Sequence, residues 1–304
     1  MRSRRRRRTT VIDGTVLVEY DHGVWLADAQ QPPGPSIVTI DDQPLYRFMD
    51  FIYVPRPLTA LTGPAVSEVN RLRRILGVTA QKMALLGEPN LLVKALFALL
   101  VEHTAGYLEP NDVLEWGCGY HPLAPYLPPA TRYTGTDIDP EVIAEMKTSG
   151  VHVALFDQLG ETVRPGSIGL VLGVFVAHYN VEVDHVERLH QAMHPDGVMI
   201  VNVYRRNAQE RRELETTMNQ AGLFAIKFPD RFAVVDDHEY WVLHKAGKWE
   251  RAHFVAYAFD GIQAILAVEL FDHGETAFGL AAKDNTWRTA TERRQVSGPD
   301  PFLS

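Results

Sequence analysis

The sequence predicts an α/β fold built on a mostly parallel sheet, and three observations carry that prediction. Between Asp112 and Lys245, apolar runs of strand length alternate with runs of helix length, the pattern of a sheet that helices cover on both faces. A turn with two glycines, Gly117 and Gly119, follows the first of these strands, and open α/β sheets bind ligands at such a turn. With 304 residues, 46% hydrophobic and 22% charged, the chain has the balance of a globular protein.

The elements follow one another in an order that the apolar pattern sets. Residues 67–107 are predicted helical, with Pro89 and Asn90 opening the main helix. After them the pattern predicts strands at 112–117, 132–139, 151–157, 167–179, 198–204, 223–228 and 239–245, and helices at 140–149, 181–194 and 207–221.

Both ends of the chain differ from this core. From Thr15, apolar and polar residues alternate on either side of the Asp21–Gly23 turn, which predicts a hairpin. The tail from Trp249 contains turn signals at Asp260-Gly261 and His273-Gly274 and is interpreted as an antiparallel meander. We therefore expect the two ends to form one small β-rich accessory module.

The expected domain organisation has four parts. They are a disordered Arg-rich tail (1–10), an N-terminal hairpin with a lid or accessory segment (11–75), the main domain (76–247) and a β-rich C-terminal segment (248–304).

Composition excludes several classes of function. A net charge of -8 argues against a broad contact with a nucleic-acid backbone. The longest apolar run, near Leu91 to Val101, is broken by Lys94 and is too short to cross a bilayer. The single cysteine, Cys118, excludes an internal disulfide and a cysteine metal cluster, so we expect a reducing, cytoplasmic setting and no bound metal.

The glycine turn has acidic partners at the ends of the next two strands. Asp137 lies about 20 residues beyond the first glycine, where a carboxylate can accept hydrogen bonds from the two hydroxyl groups of a ribose. Ile138 is expected against an adenine face. Asp157 ends the third strand, where its carboxylate would accept a hydrogen bond from an exocyclic amine such as adenine N6. The backbone at Gln158 would form hydrogen bonds with the ring nitrogens. Asp139, before Pro140, is interpreted as a helix cap.

This series resembles the class I S-adenosylmethionine-dependent methyltransferases, which have a Rossmann-like sheet with an antiparallel last strand. The family pattern, acid-x-Gly-x-Gly-x-Gly followed by acids after the second and third strands, covers about half of the chain. The resemblance implies S-adenosylmethionine as cofactor, bound by Glu115, Gly117, Cys118, Gly119, His121, Asp137, Ile138, Asp157 and Gln158.

Two departures from the family pattern concern the glycine turn and the fourth strand. His121 replaces the third glycine, and we expect it to face the methionine end of the cofactor or the substrate pocket. Gly169 stands where the family commonly has an acid that opens the fourth strand.

The resemblance also places the end of the fourth strand beside the transferred methyl group. His178 is then a candidate general base, since the ordinary pKa of histidine lies near neutrality, and Tyr179 or Asn180 would orient it. The resulting prediction is methyl transfer to an oxygen or nitrogen of a small molecule, of the kind found in specialised metabolism. No nucleic acid or membrane is expected as a partner, and a homodimer is left open.

Three alternatives remain at this point. They are a protein methyltransferase, a non-catalytic S-adenosylmethionine-binding protein and an NAD-dependent oxidoreductase. The last is disfavoured because Pro122 stands where a pyrophosphate site needs an N–H donor.

Overall fold

A computed structural model describes residues 8–27, 35–49, 51–75, 80–108, 110–232 and 238–272. Most of the Arg-rich tail and the expected turn at His273-Gly274 lie outside the described residues. Among the helices in these ranges, none is both long and apolar enough to span a bilayer.

A seven-stranded mixed sheet forms the centre of the molecule, in the order β12-β13-β11-β10-β7-β8-β9. The strands from β9 to β11 pair in parallel, whereas β13 is antiparallel to both of its neighbours. The predicted mostly parallel sheet with an antiparallel last strand is therefore confirmed. Its strands are β7 (Asp112–Trp116), β8 (Arg132–Asp137), β9 (Val153–Leu155), β10 (Ile168–Gly173), β11 (Met193–Val203), β12 (Leu223–Pro229) and β13 (Glu239–Lys245).

Helices cover both faces of this sheet. They are α2 (Ala80–Thr104), α3 (Pro140–Thr148), α4 (Leu159–Thr162), α5 (Val183–Ala192), α6 (Ala208–Gln220) and α7 (Trp249–Asp272). Pro89 lies inside α2, so the prediction that it opens the helix is wrong. The predicted helix to 194 ends at Ala192, and the Pro195–Gly197 turn is absorbed into β11, where the register with β10 shifts.

Successive residues along the central strands point to opposite faces and fill two separate cores. Leu170 and Leu172 of β10 pack with side chains of α2 and α7, including Leu96 and Phe259. Val171, between them, packs on the other face against residues of α5 and α6. A strand buried on both sides has to be apolar throughout, which explains the unbroken apolar run of β10.

The N-terminal region forms a second, antiparallel sheet of six strands in the order β1-β2-β3-β6-β5-β4, called here the N-terminal sheet. The predicted hairpin is confirmed, because β2 pairs with β3 across the Asp21–Gly23 turn. Helix α1 (Gly63–Ile75) follows. The strands are β1 (Thr9–Ile12), β2 (Thr15–Glu19), β3 (Trp25–Ala27), β4 (Ile37–Ile40), β5 (Gln43–Met49) and β6 (Ile52–Val54).

The expected meander after Trp249 is wrong for Trp249–Asp272, which forms the single helix α7. Ala252, Val255, Phe259 and Ile262 recur at helical spacing and are buried in the core shared with α2. Gly261, interpreted as a turn residue, lies inside the helix with open space where a Cβ would stand. An accessory module made from both chain ends is thus not observed in the described residues, and the domain boundaries stay predictions.

Candidate functional site

The glycine loop, residues 117–122, follows β7. It lies where the parallel strands of the central sheet have their carboxyl ends, a side called here the carboxyl edge. Gly117 and Gly119 have left-handed backbone angles, with φ of 73° and 58°, a conformation that favours glycine. A Cβ on Gly117 would lie 3.0 Å from a methyl group of Val176, whereas a Cβ on Gly119 would meet open space. The loop therefore turns tightly against the protein at Gly117 and presents bare backbone at Gly119.

A buried ion pair holds this loop in place. The Nζ atom of Lys94 lies 2.7 Å from Glu115 Oε1 and also donates to the carbonyl oxygens of Cys118, at 3.1 Å, and His121. The other oxygen of Glu115 accepts from the N–H of Leu123 and the hydroxyl of Tyr133. Glu115 is fully buried, and its carboxylate contacts Lys94, the Leu123 N–H and the Tyr133 hydroxyl.

Lys94 is a residue that sequence reasoning missed. Its only signal was a lysine interrupting an apolar helical stripe, where a buried cation requires a partner. The structure supplies that partner 21 positions later in the chain.

Cys118 contributes to the loop through its backbone. Its N–H donates to the carbonyl of Thr136, and its side chain is buried. Burial, with the nearby Glu115 and Asp137 carboxylates, raises the pKa of the Cys118 thiol, which keeps it protonated and unreactive.

Asp137 ends β8 beside Gly119. Its Oδ2 accepts from the Gly119 N–H at 3.0 Å, and its Oδ1 accepts from the Asp139 N–H at 2.9 Å. Burial raises the pKa of Asp137, while these two N–H groups act in the opposite direction. The next side chain, Ile138, is 44% exposed, and Asp139 caps α3 by accepting from the Glu141 N–H, as predicted.

Asp157 and Gln158 lie in a single 3-10 turn just after β9. Both side chains are exposed, and Arg188 Nη1 lies 3.4 Å from Asp157 Oδ1 and donates to the Asp157 carbonyl at 3.0 Å. The structure thus places Asp157 on the same edge of the sheet as Asp137, with a surface ion pair to α5.

His178 and Tyr179 lie in the β10 loop, residues 174–180. His178 is buried, with its ring centroid 4.0 Å from that of Tyr179 and 4.7 Å from that of Tyr204. Buried Arg206, which sequence reasoning also missed, donates to the carbonyls of Ala177 and Tyr179 at 2.7 and 2.6 Å. Burial lowers the pKa of Arg206, but an arginine keeps its charge in a protein.

His121 and Gly169 are the two departures from the family pattern. The His121 side chain is exposed, and its carbonyl oxygen accepts from Lys94. At Gly169, a Cβ would lie 1.9 Å from the carbonyl oxygen of Pro110. The close approach of these two backbones explains why no acid occupies this position.

The N-terminal sheet, the 3-10 turn at Leu58–Ala60 and α1 contact the carboxyl edge of the central sheet or the segments that follow it. The rings of Phe48 and Tyr179 stack with centroids 6.3 Å apart, and Arg205 Nη1 donates to the Phe48 carbonyl at 3.0 Å. A second contact joins Thr59 Oγ1 to the Glu210 carboxylate at 3.0 Å. At the other side of the edge, a Cβ on Gly63 would lie 3.6 Å from the end of the Ile138 side chain.

Together these contacts define a class of site. Open α/β sheets bind ligands at the carboxyl ends of their strands, and here a glycine loop, a buried carboxylate and an exposed apolar side chain meet at that edge. This arrangement is typical of sites that bind ligands containing a nucleoside.

Comparison with known proteins gives matches at the level of structure. No protein-family profile and no curated protein matches the sequence. Among solved structures, a Burkholderia thailandensis 1,6-didemethyltoxoflavin-N1-methyltransferase, crystallised with 1,6-didemethyltoxoflavin and S-adenosylhomocysteine, matches at 17% identity and a TM-score of 0.43. It covers 69% of this chain and 99% of its own.

Two further solved structures are similar. A TehB-like S-adenosylmethionine-dependent methyltransferase from Corynebacterium glutamicum matches at 17% identity, a TM-score of 0.42, and coverage of 60% of this chain and 99% of its own. The CurJ carbon methyltransferase matches at 12% identity, a TM-score of 0.41, and coverage of 51% of this chain. This chain spans about half of that structure, 54%.

Proposed function

We propose that this protein is an S-adenosylmethionine-dependent methyltransferase whose acceptor is an oxygen or nitrogen atom of a small molecule. The observation that carries the proposal is the bare backbone of Gly119 beside the Asp137 carboxylate, 3.0 Å from the Gly119 nitrogen to Oδ2. A nucleoside can approach the loop closely there, because a side chain is absent where it would block the ribose.

Each residue of the proposed cofactor site has a distinct role. Asp137 would accept from the ribose hydroxyls, since each carboxylate oxygen has a lone pair beyond the one its backbone donor uses. Ile138 would lie against the adenine, and Asp157 with the Gln158 backbone would bind its edge. Gly117, Cys118 and the exposed His121 complete the wall of the site.

Glu115 acts differently in this proposal. Because both of its oxygens contact protein donors, it would shape the cofactor site by bracing the glycine loop. Lys94 neutralises its charge.

S-adenosylmethionine supplies a methyl group already activated by a sulfonium leaving group, so the protein mainly has to position the acceptor and exclude water. His178 would take the proton that a hydroxyl or ammonium acceptor loses, and Tyr179 would orient the His178 ring by packing against it at a tilt. Arg206 would hold the loop that carries both residues.

A small acceptor fits the surroundings of His178. The N-terminal sheet contacts the β10 loop through Phe48 and Tyr179, which encloses this edge with aromatic side chains suited to a partly apolar ligand. The same enclosure disfavours a folded protein as acceptor. Specialised metabolism, a cytoplasmic setting and a homodimer stay expectations from the sequence.

The proposal is tested by binding first and by product formation second. Isothermal titration should detect S-adenosylhomocysteine and not NADH, and incubation with labelled S-adenosylmethionine and metabolite pools should give a methylated product by mass spectrometry. Asp137→Ala should abolish binding. His178→Ala should keep binding and lower turnover by about 10²-fold, with His152→Ala as the matched control, because His152 is an exposed histidine just before the amino end of β9.

Three outcomes would contradict parts of this proposal. Binding of NADH in place of S-adenosylhomocysteine would support an oxidoreductase. Tight binding without product in any small-molecule or protein pool would favour a non-catalytic binding protein. Full turnover by His178→Ala would remove the base role alone.

A further inference from the structure

Three buried polar side chains form a hydrogen-bonded chain behind the β10 loop. Asn202, on β11, accepts from the N–H of Phe175 through Oδ1 at 2.6 Å, and its Nδ2 lies 2.9 Å from His238 Nε2. His238 Nδ1 lies 2.7 Å from Asp230 Oδ2, and both of these side chains are fully buried. The chain therefore connects the end of β12, the start of β13 and β11 to one backbone N–H of the β10 loop.

The donors and acceptors of this chain can be assigned in one way only. A backbone N–H is always a donor, so Asn202 has to turn its oxygen toward Phe175 and its NH₂ toward His238. His238 Nε2 must then be an acceptor, which leaves the hydrogen of a neutral imidazole on Nδ1. That Nδ1–H donates to the Asp230 carboxylate, which fixes both the tautomer and the orientation of the ring.

The residue at the end of the chain has a backbone conformation that needs support. Phe175 has a φ of 51°, which for a bulky residue other than glycine costs about 1 kcal/mol or more and is found at functional sites that the surroundings hold in place. Its ring stacks on His238 and packs edge-on against Tyr204, which in turn contacts His178.

We infer that Asp230, His238 and Asn202 are positioning residues that fix the β10 loop, and with it the acceptor and His178, in the alignment that methyl transfer requires. This inference rests on the proposed function. The three residues should act far more on turnover than on cofactor affinity, because the proposed cofactor contacts lie on other loops, at 117–121, 137–138 and 157–158, which the β10 loop meets at Val176 beside Gly117.

The first test uses the unaltered protein. Long-range ¹H–¹⁵N NMR on histidine-labelled protein should show His238 neutral with its hydrogen on Nδ1, identified by the signal that His238→Gln removes. A hydrogen on Nε2, or a doubly protonated ring at neutral pH, would overturn the inference because Asn202 could not then accept from Phe175.

The second test compares two variants of His238. In His238→Gln, the amide oxygen can accept from Asn202 and the amide NH₂ can donate to Asp230, so the Phe175 N–H should stay protected from hydrogen exchange. In His238→Phe both hydrogen bonds are lost, and exchange of the Phe175 amide should accelerate by about tenfold or more. Thr104→Val, a buried change on α2 near the opposite edge of the sheet, controls for a general loss of stability.

Ligand measurements separate positioning from a purely structural role. Affinity for S-adenosylhomocysteine should change by less than about threefold in His238→Phe, while kcat with the acceptor that the labelling experiment identifies should fall by about tenfold or more. His238→Gln should restore most of this kcat. Equal effects of the two variants, or a parallel fall in S-adenosylhomocysteine affinity, would overturn the inference. If the unaltered protein binds no S-adenosylhomocysteine, the proposed function fails, whereas the tautomer and exchange results still decide whether the chain holds the loop.

Discussion

At the scale of the residue, Lys94 contacts three oxygen atoms, the carbonyls of Cys118 and His121 in the glycine loop and one carboxylate oxygen of Glu115 on β7. The replacement Lys94→Met would leave the Glu115 carboxylate buried without a cation, which costs about 3–5 kcal/mol. It would also release the carbonyls of Cys118 and His121. We expect both a lower free energy of unfolding in urea and at least about tenfold weaker binding of S-adenosylhomocysteine by titration.

The two effects of Lys94 can be separated by a second substitution. Lys94→Met with Glu115→Gln removes the unpaired charge, so part of the stability should return, whereas the loop carbonyls still lack their donor and binding should stay weak. Lys248→Met, which breaks a surface pair with Asp196, should change neither quantity by much. Recovery of binding together with stability would show that Lys94 serves the fold alone.

At the scale of the element, replacing Gly169 in β10 by alanine should mainly lower stability, whereas replacing Gly119 in the glycine loop should mainly weaken ligand binding. Gly169→Ala places a methyl group 1.9 Å from the Pro110 carbonyl oxygen, so β10 must shift, and we expect a loss of about 3 kcal/mol in unfolding free energy. Gly119→Ala meets open space and costs only about 1 kcal/mol for its left-handed φ, but its methyl group would occupy the proposed cofactor site. Urea unfolding and S-adenosylhomocysteine titration on both variants check these two expectations. If Gly119→Ala binds S-adenosylhomocysteine with unchanged affinity, the cofactor does not bind beside Gly119.

The elements also show which features a sequence can predict. The alternation between β7 and β13 was predictable because a strand buried on both faces and an amphipathic helix have different apolar periods. Helix α7 could not be recognised reliably because its segment contains both a turn dipeptide, Asp260-Gly261, and an apolar stripe of helical spacing from Ala252 to Ile262. The dipeptide predicts a turn, but burial of the apolar stripe favours the helix. The buried partners Lys94, Arg206 and His238 could not be predicted, since each depends on at least one contact with a residue more than 20 positions away in the chain.

At the scale of the whole molecule, the N-terminal sheet touches the site at Tyr179 and the following helix α1 touches it at Ile138, and we expect these contacts to control how long a ligand stays bound. Thr59→Val with Arg205→Ala removes two hydrogen bonds between the N-terminal region and the central domain, from Thr59 to Glu210 of α6 and from Arg205 to the Phe48 carbonyl of β5. Each lost bond is worth about 1 kcal/mol, so the N-terminal sheet should separate from the β10 loop, and α1 from Ile138, more often.

The expected result is a dissociation rate of S-adenosylhomocysteine about threefold to tenfold higher by stopped-flow, with little change in the urea unfolding of the central sheet, because neither residue belongs to its cores. A matched control is Thr216→Val with Arg212→Ala, the same residue types on the exposed side of α6. If the control and the test variant release the ligand at the same rate, the N-terminal sheet does not close the site. A higher rate in the test variant alone would mean that enclosure of the carboxyl edge depends on both sheets and that neither forms the site by itself.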